Sequence, residues 1–274
     1  MAIDEKSVST RNVQAEKVPL ATSPVVGAGR SRSIYLLPNL FTTAAMLAGF
    51  YAIVCAYGGN YKMAGIAIVA AAVLDGFDGR VARMTNTTTP FGAEYDSMSD
   101  MVSFGVAPAF LVYAWSLSSL KEAQWGQLGW VIAFVFTACC ALRLARFNVA
   151  VGTADKRFFQ GLACPTAGVI LGTLAWVCSD LGIAGTDIVP LVLVMTLATA
   201  LLMVSNFAYY SFKDIGQRRR VPFAVLLALV LVMLTTAIDP AKMILILGTA
   251  YAASGPAWAG WSRWRKRSRA DVRE

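Results

Sequence analysis

The sequence predicts an all-α protein, a polytopic membrane helix bundle of about eight transmembrane helices. Three observations carry this. Of the 274 residues, 57% are hydrophobic and only 15% charged, with a mean hydropathy of +0.58, well outside the usage of an ordinary soluble domain. Eight apolar runs succeed one another, at about 34–57, 63–84, 93–117, 128–150, 163–181, 188–210, 222–238 and 241–260. Most approach the roughly 20 residues that a bilayer-crossing helix needs. The third observation is charge asymmetry. With the amino terminus inside and the runs alternating, 21 of the 24 basic residues fall inside, and only Lys62, Lys121 and Lys242 fall outside. The net charge of +8 is thereby explained by topology, without a nucleic-acid partner.

The elements follow in order. Residues 1–33 are polar, with scattered charges and no apolar period, and read as a flexible cytosolic tail. They lack the short apolar core and cleavage site of a secretory signal, so the first run is expected to be a retained span. Pro38, Asn39, Leu40 and Phe41 open that span, and the second ends in Asp75, Asp78, Arg80 and Arg83. Thr89-Pro90 supplies an N-cap and a proline at the first helical position, which starts the third. The seventh run is short, and Ile238-Asp239-Pro240-Ala241 turns tightly enough to make a helical hairpin with the eighth. These signals divide the chain into a tail at 1–33, a six-helix membrane domain at 34–213, an additional hairpin at 214–260 and a basic cytosolic tail at 261–274. The basic run 263–269 can fix topology, or contact anionic headgroups at about 1 kcal/mol per charge.

The five cysteines lie inside apolar runs rather than at metal-ligand spacings and read as small buried hydrophobes. Histidine is absent, which removes the commonest ligand for zinc, copper and iron. A metal in this protein is therefore expected to be oxygen-ligated, Mg2+ or Mn2+.

Charge in the wrong place marks the functional stretch. Asp75, Asp78, Asp96 and Asp100 fall within or beside hydrophobic runs, where an ionised side chain costs about 2.5–3.5 kcal/mol at the helix centre. Helical spacing puts Asp75, Asp78, Gly79, Ala82 and Arg83 on one stripe and Gly92, Asp96, Asp100 and Ser103 on another. A short connection makes the two helices antiparallel neighbours, so both carboxylate pairs converge near one membrane face, the cytosolic one by the charge count. Two arginines cannot neutralise four close aspartates with Glu94 nearby. Four carboxylates suit two divalent cations about 3.5–4 Å apart, an arrangement that clamps attacking and leaving oxygens in phosphoryl transfer. Arg83 would neutralise phosphate charge, and Gly79 and Ala82 would admit a ligand to the backbone.

The order Asp75, two residues, Asp78-Gly79, two residues, Ala82-Arg83, eight residues, Gly92, three residues, Asp96, three residues, Asp100 resembles the signature of the CDP-alcohol phosphotransferases. The resemblance implies transfer of a phosphatidyl group from CDP-diacylglycerol to an alcohol, with release of CMP. It also implies Asp75, Asp78 and Asp96 as metal ligands, Asp100 as both ligand and general base, and Pro38, Asn39, Gly79, Ala82, Arg83 and Thr89 as contacts for CDP-diacylglycerol. A homodimer in the cell (inner) membrane, with its site facing the cytosol, is the implied setting. For Thr89 and Asn39 a helix-start role is an equally available explanation.

The acceptor depends on other stretches. Residues 100–109, Arg143-Leu144-Ala145-Arg146-Phe147-Asn148, Phe159-Gln160-Gly161-Leu162 with Pro165, and Ser211-Phe212-Lys213 resemble the phosphatidylserine synthase branch, which implies L-serine. That branch commonly reads Gly-Leu-Pro-x-Pro, where this chain has Gly161-Leu162-Ala163-Cys164-Pro165. Arg143, Arg146 and Asn148 are candidate grips for the serine carboxylate, and read equally well as positive-side anchors. Glu94 or Asp155 would face the ammonium. Glycerol 3-phosphate or inositol phosphate would also want arginines. An ion transporter is the reading from another class, but it would spread ionisable groups through the bilayer depth and often shows repeated halves.

Overall fold

The structure is a computed structural model and describes residues 33–85, 89–121, 127–150, 158–210 and 233–270. It is an all-α membrane bundle. Helix α1 (Ser33–Tyr57) turns at Gly58-Gly59 into the antiparallel α2 (Tyr61–Thr85), and Gly59 takes φ 76°, a conformation that glycine adopts without penalty. Next come α3 (Pro90–Asp100), a π-helical turn (Met101–Val106) and α4 (Ala107–Trp115), which run on without interruption as one 26-residue apolar segment. Helices α5 (Leu128–Ala150), α6 (Cys164–Asp180), α7 (Val189–Val204) and α8 (Pro240–Ala270) complete the bundle.

Among the described residues, Asn39–Tyr57, Pro90–Trp115, Leu128–Val149 and Gly185–Val204 are long and apolar enough to cross a membrane. The second, fifth and eighth runs form α2, α6 and α8. Helix α2 carries Asp75, Asp78 and two arginines near its end, and α6 has 17 residues. Of the seventh run, only residues 233–238 are described, and they are helical. Thr89 caps α3 as its sequence predicts, accepting from Gly92 N at 3.0 Å ahead of Pro90. Asp239 likewise accepts from Lys242 N at 3.2 Å at the start of α8.

Two expectations need correction. The sixth run does not stay helical to 210: α7 stops at Val204, Ser205 is extended, and Ala208–Tyr210 pairs antiparallel with Phe158–Gln160. Ser205 Oγ bonds back to the Leu202 carbonyl at 2.8 Å, a local hydrogen bond of the kind that competes with continued helix. Gly161, at φ 81°, closes this corner by donating its N–H to the Phe207 carbonyl. At the other end of the chain, helix does not stop near 260, because α8 continues through the basic run to Ala270.

Small residues set the packing. Ala52 and Ala56 of α1 and Ala64, Ala67, Ile68 and Ala71 of α2 are buried, and α2 in turn lies along α6. In a bilayer such contacts rest on close backbone approach rather than on exclusion of water. Gly65 is the tightest case, since a Cβ there would collide with the Gly172 carbonyl oxygen across the α2–α6 seam. Gly65→Val should therefore lower the melting temperature of the detergent-solubilised protein, at an overpacking cost of about 1–3 kcal/mol or more. An unchanged melting temperature would contradict this close approach. The Lys62–Asp180 pair (2.5 Å) and the Lys242–Asp239 pair (2.7 Å) lie at the end of the bundle opposite the aspartates.

Candidate functional site

The hairpin of α2 and α3 brings the four aspartates together. Asp75, Asp78 and Asp96 each offer a carboxylate oxygen within 4.8 Å of the others. Asp100 lies beside Asp75 and Asp96 at the junction of α3 with the π-helical turn. Such a turn has a wider hydrogen-bond ring than an α-helix and frequently falls at functional positions. Two buried oxygens, Asp96 Oδ1 and Asp100 Oδ1, have no hydrogen-bond partner. No ion pair joins the aspartates to a cation among the described residues, and Arg80 is exposed. Clustered carboxylates with orphaned buried oxygens fit a hard, oxygen-seeking divalent cation, which would satisfy both the charge and the lone pairs.

Helix α1 forms the third wall. Thr42 is buried and donates its Oγ1 hydrogen to Asp78 Oδ2 at 2.7 Å, while its carbonyl accepts from Ser99 Oγ at 3.1 Å. One turn deeper, Ser103 Oγ donates to the Ala45 carbonyl at 3.1 Å, and a Cβ at Gly49 would overlap Ser103. At the mouth, Thr43 Oγ1 and Tyr95 Oη lie 2.9 Å apart, and Phe41 and Phe77 have ring centroids at 6.5 Å. The amide oxygen of Asn39 is 3.6 Å from where a Gly92 Cβ would stand, so the start of α1 and the start of α3 meet there. The side chains of Pro38, Ala82 and Arg83 lie outside the described residues.

The fourth wall comes from α5 and α6. Arg143 Nη1 donates to Cys164 Sγ at 3.5 Å, Cys164 neighbours Asp100, and Arg143 Nε is buried without a partner. The other candidate acceptor residues do not converge on Arg143. Arg146 Nη2 donates to Asn206 Oδ1 at 2.7 Å, and Asn148 Nδ2 donates to Ser97 Oγ at 3.1 Å and Glu94 Oε2 at 3.5 Å. Asn148 thus ties α5 to α3. Asp155 lies outside the described residues. Sequence reasoning missed Thr42, Ser99 and the proximity of Cys164. Their only signal is a small polar residue or thiol inside an apolar run, which many buried helices also carry.

Fold and site together define a polytopic membrane protein with an oxygen-rich cluster of carboxylates, compatible with a divalent cation, at one end of the bundle. The model of the CDP-alcohol phosphatidyltransferases matches residues 35–203, and the chain belongs to that family. It is similar to the CDP-diacylglycerol–serine O-phosphatidyltransferase of Helicobacter pylori, with 36% identity over 199 residues, covering 73% of this chain and 82% of the relative. The protein of the same name from Mycobacterium bovis is 30% identical over 248 residues, 88% of this chain and 85% of its own length. An archaetidylserine synthase of Methanothermobacter thermautotrophicus is 31% identical over 181 residues, 65% and 70% of the two chains.

Proposed function

We propose that this protein transfers the phosphatidyl group of CDP-diacylglycerol to the hydroxyl of L-serine, giving phosphatidylserine and CMP. The convergence of four carboxylates with two orphaned buried oxygens carries the phosphotransfer reading. The names of the relatives, alongside which this chain runs for most of its length, favour serine.

Asp75, Asp78, Asp96 and Asp100 would hold Mg2+ or Mn2+, as two ions in this reading; such metal would supply neutralisation of the pyrophosphate charge and acidification of the acceptor hydroxyl. Asp100 takes the hydroxyl proton of serine as its oxygen attacks the phosphorus carrying diacylglycerol. One P–O bond forms to serine, the P–O bond to CMP breaks, and CMP leaves with the electron pair. Gly79, Ala82, Arg83, Thr89, Pro38 and Asn39 line the CDP-diacylglycerol end in this reading. Arg143, with its buried and unpartnered Nε, receives the serine carboxylate, and Arg146 and Asn148 brace that side. The distribution of basic residues supports a site turned toward the cytosol, in the cell inner membrane; a homodimer is what the family resemblance implies.

The deciding experiment supplies purified protein with CDP-diacylglycerol, Mn2+ or Mg2+ and each of serine, glycerol 3-phosphate and inositol phosphate, and scores CMP release. Serine-dependent release that EDTA stops and Mn2+ restores is expected. Release with another alcohol alone would reassign the acceptor, and no alcohol-dependent release would overturn the enzyme. Arg143→Gln should raise KM for serine about tenfold or more, because a charge-assisted hydrogen bond contributes about 1.5–3 kcal/mol. KM for CDP-diacylglycerol should move little. Equal rises in both constants would remove Arg143 from the serine pocket.

A further inference from the structure

Thr42 belongs to none of the signature positions, yet it touches both arms of the aspartate hairpin. Its hydroxyl donates to Asp78 Oδ2 on α2 at 2.7 Å, and its carbonyl receives Ser99 Oγ from α3 at 3.1 Å. Ser99 stands between Asp96 and Asp100, so a single residue of α1 ties the register of one carboxylate pair to that of the other. All three partners are buried: Thr42 is 4% exposed, Asp78 5% and Ser99 2%.

Burial alone does not demand such contacts. The buried Thr173, Thr196 and Thr199 satisfy their hydroxyls on the carbonyl four residues earlier in their own helices, at 2.6–2.8 Å. Thr42 differs in reaching a carboxylate on another helix. A hydroxyl has one proton to give. Directed at Oδ2, and joined on the same carboxylate by the Gly79 backbone, it helps set the orientation of Asp78 and so the direction in which the remaining lone pairs point. Outer-shell partners of this kind tune metal affinity as well as orientation.

We infer that Thr42, braced by Ser99, is a positioning residue that presets the carboxylates for divalent-cation binding. This rests on the metal reading of the aspartates given above.

The test is direct titration with Mn2+ alone, following the melting temperature of full-length protein in detergent. In wild type, Mn2+ should raise the melting temperature with a saturable midpoint. Thr42→Val keeps the shape and removes the donor, and should shift that midpoint upward about 10–100-fold. Thr42→Ser keeps the donor and should stay within about threefold of wild type, while Ser99→Ala should lie between. A merely structural role would lower the melting temperature with and without Mn2+ alike and leave the midpoint in place. A wild-type midpoint in Thr42→Val, or a Thr42→Ser midpoint as displaced as that of Thr42→Val, overturns the inference. Should Thr42→Val not fold, Ser99→Ala decides, and an unshifted midpoint there also overturns it. A wild type with no saturable response removes the metal reading itself, and this inference with it.

Discussion

Asp100→Asn should leave CDP-diacylglycerol bound and stop its transfer. The amide is nearly isosteric with the carboxylate but cannot accept the hydroxyl proton, and loss of a positioned general base costs about 10²–10⁴-fold in rate. Asp100 is also proposed as a ligand, so the loss of serine-dependent CMP release should sit at the upper end of that range. The position explains why a small change matters. Asp100 ends α3 where the helix widens into the π-helical turn, and its Oδ1 is buried with no protein partner. Nothing nearby replaces it, because Asp75 and Asp96 belong to the proposed metal set and no histidine exists in the chain. Binding of CDP-diacylglycerol, measured by equilibrium retention on the immobilised protein, should change by only a few fold. Activity within tenfold of wild type would take the base role away from Asp100. Loss of activity together with complete loss of lipid binding would assign it to the ligand set alone.

Helix placement was legible because span length and charge distribution are strong, local signals. The runs at 34–57, 128–150 and 163–181 match α1, α5 and α6 to within a residue, and the Thr89-Pro90 cap starts α3 in the expected way. The carboxylate cluster was legible because helical spacing and a short connection leave the two stripes little choice but to meet. The π-helical turn left no trace in the pattern, since its apolar residues satisfy an α-helical run equally well. The end of α7 was hidden for a related reason. Phe207, Ala208, Tyr209 and Tyr210 are as apolar as a span, and only the backbone pairing with Phe158–Gln160 makes them strand. Thr42 was illegible because threonine in a membrane helix ordinarily bonds its own backbone, and its reach to Asp78 depends on how α1 and α2 are rotated. On the acceptor side, Arg143 and Arg146 share a helix end in the sequence, and their hydrogen bonds run to Cys164 and Asn206, partners that no spacing in the chain announces.

Asp96→Asn should exchange activity for stability in a way that reports the metal site. Without a cation, clustered carboxylates repel one another, and Asp96 Oδ1 is buried with no partner, a desolvation cost of about 1–3 kcal/mol or more for a charged group. Replacing one carboxylate by an amide removes a charge from within reach of Asp75 and Asp78 and gives the buried position hydrogen-bond donors toward their oxygens. The melting temperature measured in EDTA should therefore rise, or at least hold, in the variant. Functional sites often carry strain of this kind, which is relieved only by the ligand they are built for. The Mn2+-dependent rise seen in wild type should then shrink or vanish, and serine-dependent CMP release should fall about 10³-fold or more as both ligand and geometry are lost. The two readouts separate the alternatives. A lower melting temperature in EDTA together with an unchanged Mn2+ midpoint would mean that Asp96 serves packing or hydrogen bonding instead of a cation. A stabilised apo protein that has lost its Mn2+ response is the outcome expected if the cost of bringing four carboxylates together in a membrane bundle is what makes the site bind metal.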